Sequence, residues 1–110
     1  MEEFVKGQIV VLPFPFSNLS TSKKRPALIV GNPEGDDVIL AQITTTSKID
    51  DYSIPISNSD FEEGSLNLSS IIKPQRLFTA DKSIILYKAG TLSKSKIKEV
   101  EKEIIKIITE

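Results

Sequence analysis

A mainly β chain with one C-terminal helix is the fold class the sequence predicts, and three observations carry it. Short aliphatic and β-branched runs recur between Gln8 and Lys88, each bounded by Gly, Pro, Asn or Asp. From Ser93 onward the period changes: Ile97, Val100, Ile104 and Ile107/Ile108 recur at helical spacing among Lys and Glu. The 110 residues have room for one core, with no internal repeat, low-complexity tract or linker. Short, closely spaced strands and a final helix predict a small curved barrel or half-barrel packed by that helix, as a single domain over 1–110.

The elements follow in order. Gln8–Leu12 is an apolar run between Gly7 and Pro13 and predicts a mostly buried strand. Pro13-Phe14-Pro15-Phe16 is expected to leave the central ladder as an edge segment or bend, because each proline lacks a backbone donor. Residues 17–24 are polar and predict an exposed loop. Pro26–Val30 and Val38–Ile43 are strands of a hairpin joined through Gly31-Asn32-Pro33-Glu34-Gly35-Asp36-Asp37. Tyr52–Ile56 alternates with period two, and Pro55 makes it an edge strand. Asn58–Gly64 is expected to be a turn, and Ser70–Ile72 and Ser83–Lys88 are the remaining strands. Ser93 or Ser95 caps the helix.

Composition narrows the chemistry. The chain has no Cys and no His, which removes disulfides, thiol nucleophiles, ordinary zinc sites and the usual base of neutral-pH catalysis. Arg, Lys, Asp, Glu, Tyr, Ser and Thr remain. A net charge of −1 argues against a broad grip on nucleic acid and leaves room for a local basic site. Lys23-Lys24-Arg25 is the only three-residue basic run. No apolar stretch approaches the ~18 residues of a membrane span, and Met1–Lys6 lacks the basic and apolar regions of a secretion signal. The expected location is the cytoplasm, with no membrane association.

Two features can carry function. Arg25 precedes Pro26, which biases it toward an extended conformation at a strand mouth. Its guanidinium forks onto a phosphate through parallel hydrogen bonds; the plain structural alternative is an exposed ion pair worth ~0–1 kcal/mol. Thr44-Thr45-Thr46-Ser47 places hydroxyls after a buried strand, where turn capping competes with binding a phosphate or ribose oxygen. Alternation puts Thr44 and Thr46 on one face and Thr45 on the other.

The strand start at Gly7-Gln8-Ile9 followed by Lys24-Arg25-Pro26 and an aliphatic strand resembles the N-terminal motif of MazF/PemK-type toxins, endoribonucleases of bacterial and archaeal toxin–antitoxin systems. Ala41-Gln42-Ile43-Thr44 is similar to a second family segment, and Ser70–Ser83, with Thr79, Asp81 and Lys82, to a third. Together they span about residues 6–108. The resemblance implies the SH3-like small β-barrel of the MazF/CcdB/Kid plasmid-maintenance toxins. It also implies metal-independent, sequence-specific cleavage of single-stranded RNA by 2′-hydroxyl attack, with no cofactor and no metal.

By the same resemblance Arg25 and Thr44 form the catalytic pair, with the threonine register open across Thr44, Thr45 and Thr46. Lys23, Lys24, Thr46, Lys73 and Phe16 are the matching candidates for RNA binding, with Tyr52 a second stacking candidate; Asp81 is expected to fix a turn. The implied partners are RNA, a cognate antitoxin with an acidic segment, and a second copy in a homodimer. Some members carry an Arg-x-Asp pair where this chain has Lys73 and Gln75. That departure keeps open a degenerate RNA- or antitoxin-binding module, and the resemblance to a related toxin fold that poisons gyrase keeps open a gyrase-type inhibitor.

Overall fold

The computed structural model describes residues 3–14, 23–45, 50–66 and 69–110. Among the described residues seven strands form one antiparallel sheet: β1 (Gln8–Phe14), β2 (Lys23–Gly31), β3 (Asp37–Thr44), β4 (Ile54–Ile56), β5 (Phe61–Gly64), β6 (Ser70–Asp81) and β7 (Tyr87–Leu92). They lie in the order β4-β6-β3-β2-β1-β7-β5, and α1 (Lys94–Thr109) completes the chain. Register shifts fall between Ile9 and Val10, Ile29 and Gly31, Ala41 and Gln42, and Phe61 and Glu63. Such bulges bend strands and increase twist, and they curl the sheet into a half-barrel.

Period-two alternation sorts the aliphatic residues onto two faces. On one, Ile9, Leu28, Ala41, Ile43, Ile72 and Leu92 are sealed with Val100 of α1, and Ile97 and Ile104 pack at the margin. Gly7 belongs to this contact: its φ is +96, and a Cβ there would lie 2.7 Å from Ile97 Cδ1. On the other face Val10, Leu12, Phe14, Ala27, Ile29, Val38 and Leu40 form a second cluster, extended by Phe4 and Phe78. Ser93 caps α1 through its side chain, which accepts from Lys96 N–H. Among the described residues no helix is long and apolar enough to cross a membrane.

The mainly β architecture, the β2–β3 hairpin and the edge position of β4 follow the expectations. Pro13 and Phe14 take the expected edge position: among the described residues they pair with β2 on one side only, since pairing to β7 ends at Val11↔Tyr87. Three local expectations are corrected. Lys23 and Lys24 already pair in β2 instead of closing a loop; the rest of that loop, and the Pro15-Phe16 bend, lie outside the described residues. Asn58–Gly64 is a 3₁₀ turn at Asn58–Asp60 followed by the edge strand β5. Ser83–Lys88 divides between a 3₁₀ turn at Lys82–Ile84 and the start of β7, while β6 extends to Asp81 along β3.

The long β6 contains Pro74 because the ladder is interrupted there. Gln42 pairs with Lys73 but Ala41 pairs with Leu77, so 74–76 form an irregularity where a missing N–H is tolerated. Asp81 does fix a turn, accepting from Ser83 N–H at 2.8 Å.

Candidate active site

The antiparallel register gathers the functional candidates. Ala27 of β2 pairs with Gln42 of β3, and Gln42 pairs on its other side with Lys73 of β6. Arg25 and Thr44 each lie two residues beyond the Ala27–Gln42 pair, and so on the same face of adjacent strands. Lys23, two residues before Arg25, shares that face; Lys24 falls on the opposite one. Arg25 and Thr44 are half-buried, whereas Lys23, Lys24 and Thr45 are exposed. Thr45 also alternates away from Thr44. Thr46 and Phe16 lie outside the described residues.

Lys73 is a charged residue built into this floor, only 5% exposed. A buried ammonium requires partners. Its Nζ donates to Asp50 Oδ2 at 3.1 Å and to Ser53 Oγ at 2.9 Å. Gln75, lifted out by the β6 irregularity, donates from Nε2 to the same Asp50 Oδ2 at 2.9 Å. The other carboxylate oxygen, Oδ1, accepts from Ser53 Oγ at 2.9 Å and Tyr52 N–H at 3.0 Å. The Ser53 hydroxyl, then the Lys73 ammonium, the Tyr52 amide and Gln75, outweigh partial desolvation and hold the Asp50 carboxyl well below the usual carboxylate range.

Sequence reasoning missed Asp50 and Ser53. The available signal was the turn pattern Asp50-Asp51-Tyr52-Ser53 ahead of an edge strand, in which Ser53 Oγ also accepts from Asp50 N–H at 3.1 Å. Nothing in that pattern says which distant residues the turn holds. Tyr52, a stacking candidate, is half-buried and its backbone belongs to the turn. The arrangement offers forked and point-charge cations beside a hydroxyl, a donor set suited to a phosphodiester.

A family model described as the PemK-like, MazF-like toxin of type II toxin–antitoxin systems matches residues 5–108. The chain belongs to that family. Among solved structures, MazF from Deinococcus radiodurans (Form-I) superposes with a TM-score of 0.78 at 15% identity, covering 100% of both chains. An endoribonuclease from a mycobacterial species, in complex with its cognate antitoxin, gives 0.77 at 16% identity over 97% of this chain and 96% of that one. Mycobacterium tuberculosis toxin MazF-mt6 gives 0.73 at 21% identity over 93% and 96%. At these identities the structural likeness concerns the fold, which is the MazF toxin fold. No curated protein matches the chain significantly.

Proposed function

We propose that this toxin is an endoribonuclease that cleaves single-stranded RNA without a metal ion, with Arg25 and Thr44 as its catalytic residues. The observation that carries the reading is the shared face of Arg25 and Thr44 on adjacent strands, with Lys73 entering from the next strand. In the reaction the ribose 2′-oxygen attacks the adjacent phosphorus and loses its proton. The bond from phosphorus to the 5′-oxygen breaks, and that oxygen takes up a proton. The products are a cyclic phosphate and a 5′-hydroxyl end. RNA supplies the nucleophile, so a chain without Cys or His remains competent.

The protein's task is to stabilise charge on the phosphorus oxygens. Arg25 meets it with a fixed fork of donors, and a preorganised donor of this kind contributes about 3–4 kcal/mol. Thr44 orients the phosphate or the 2′-hydroxyl. Lys73 and Lys23 extend the positive strip along the same face, and Lys24 borders it from the other. Thr46 and Phe16 complete the RNA-binding group.

Family membership and the antitoxin-bound relatives support a cognate antitoxin as partner. A homodimer as the working unit and the cytoplasm as the site of action are part of the same proposal and rest on family membership. An acidic antitoxin segment would occupy the cationic strip in place of RNA.

The test is a cleavage assay on long single-stranded RNA in EDTA, with Arg25→Ala alongside. Discrete fragments ending in cyclic phosphates from the unsubstituted protein alone are expected. Retained cleavage by a folded Arg25→Ala protein overturns the role of Arg25.

A further inference from the structure

Asp50 belongs to none of the motifs that carry the functional reading, lying six residues beyond Thr44, yet it bridges Lys73 and Gln75 of β6. One oxygen takes hydrogen bonds from both Lys73 and Gln75, and the other is fixed by the turn that Asp50 itself opens. We propose that Asp50 is the positioning residue of this ribonuclease site, a carboxylate delivered from the turn before β4 that fixes the Lys73 ammonium and the Gln75 amide for the RNA phosphate. The inference rests on the ribonuclease reading above.

Three observations support it. The first is local over-determination: Asp50, Tyr52 and Ser53 close a turn on themselves, so the carboxylate is aimed before any substrate arrives. The second is saturation. With both oxygens already accepting donors and its carboxyl held ionised, Asp50 is a poor proton acceptor and acts through its neighbours. The third is Gln75. Its Nε2 must face the carboxylate, because Oε1 there would set oxygen against charged oxygen. Oε1 is consequently buried and, among the described residues, without a donor, an arrangement that costs stability. The orphaned acceptor is the consequence of keeping an amide on Asp50 beside Lys73.

Charge explains the expected kinetics. Neutralising Asp50 removes a negative charge near the phosphate, so ground-state attraction for RNA is not weakened. The loss falls on the placement of Lys73, and misplacement of about 1 Å is enough to lower turnover by roughly a hundredfold. Asp50→Asn is therefore expected to lower kcat by about that factor, while KM and the affinity for an uncleavable 2′-deoxy oligonucleotide hold or improve.

Leaving Lys73 buried beside a neutral partner also threatens the fold, so the deciding variant is the exchange Asp50→Asn/Gln75→Glu. It keeps one amide and one carboxylate across the same 2.9 Å contact and returns the negative charge to the neighbourhood of Lys73. The experiment measures kcat and KM on a defined RNA, oligonucleotide affinity by fluorescence anisotropy, and thermal midpoints for the three proteins. Recovery of kcat in the exchange variant, after its loss in Asp50→Asn, supports the proposal. Cleavage by Asp50→Asn at the unsubstituted rate overturns the role of Asp50 and leaves the ribonuclease reading standing. A parallel fall of kcat, affinity and thermal midpoint without recovery reduces Asp50 to a structural residue and likewise overturns it. An unsubstituted protein that folds and cleaves no RNA overturns both readings together.

Discussion

The two faces of the sheet are finished differently. Beneath α1, Val100 reaches a floor of Ile9, Leu28, Ile43, Ile72 and Leu92, and packing there is continuous from β4 to β7. On the opposite face the aliphatic cluster centred on Val10, Ile29 and Leu40 gives way at one end to Arg25, Thr44 and Lys73. The same strands serve both faces. Ile43 and Ile72 point into the sealed side while their neighbours Thr44 and Lys73 face the other. The difference teaches that the helix-covered core and the candidate site are separated by alternation, one residue apart along β3 and β6.

That division is sharpest for Arg25→Ala, which should lower cleavage by about 10²–10³-fold, or ~3–4 kcal/mol in the transition state. Unfolding in urea should scarcely change, since the side chain is outside both aliphatic clusters. A large loss of stability would show that the face bearing Arg25 also holds the fold together.

The converse substitution is Leu92→Ala. Leu92 is 0% exposed beneath the helix, and truncation leaves a cavity expected to cost about 2–5 kcal/mol in urea unfolding. Under conditions where the variant stays folded, turnover per folded molecule should remain close to that of the unsubstituted protein. Lost turnover in a folded Leu92→Ala protein would break the separation of the two faces.

Acid should test the Asp50 turn. Because its carboxyl titrates below the ordinary value in the folded protein, the unfolded chain takes up the proton first as pH falls. Its contribution is therefore present above the unfolded pKa of about 3.9 and is lost as pH drops below it toward the folded value. The stability gap between the unsubstituted protein and Asp50→Asn should stay constant from about pH 7 to 5 and shrink below about 4. Urea midpoints measured against pH check this, and a gap that widens in acid would contradict the sign.

The smallest effect is expected outside both faces. Lys6 pairs with Glu101 of α1 at the surface, both side chains being well exposed. Lys6→Ala should change stability by about 0–1 kcal/mol and less in high salt. Differential unfolding at low and high ionic strength measures it.

Much of this organisation could be read from residues alone. The β2–β3 hairpin follows from aliphatic runs around Asn32-Pro33 and Gly35, and α1 from the spacing of Ile97, Val100 and Ile104 behind Ser93. These are local patterns, set by propensity and period. The expectations failed where a neighbour overrides propensity. β6 persists through Pro74 because β3 resumes pairing beyond it, and the polar segment Phe61–Gly64 is a strand because β7 pairs with it. Gly64 and Gly90 permit that pairing: a Cβ on Gly90 would meet Glu63 O at 2.5 Å.

The sequence by itself determined the class of fold, the family and the identity of Arg25 and Thr44 as candidates, because motif, period and composition are properties of neighbouring residues. Only the tertiary structure decided that Lys24 falls on the opposite face from Lys23, that Lys73 is buried, and that its partner is Asp50, 23 residues earlier. The physical reason is that register and desolvation belong to pairs of strands. A lysine in a sequence is a solvated charge until the sheet closes over it, and then its stability depends on whichever carboxylate the fold brings within reach.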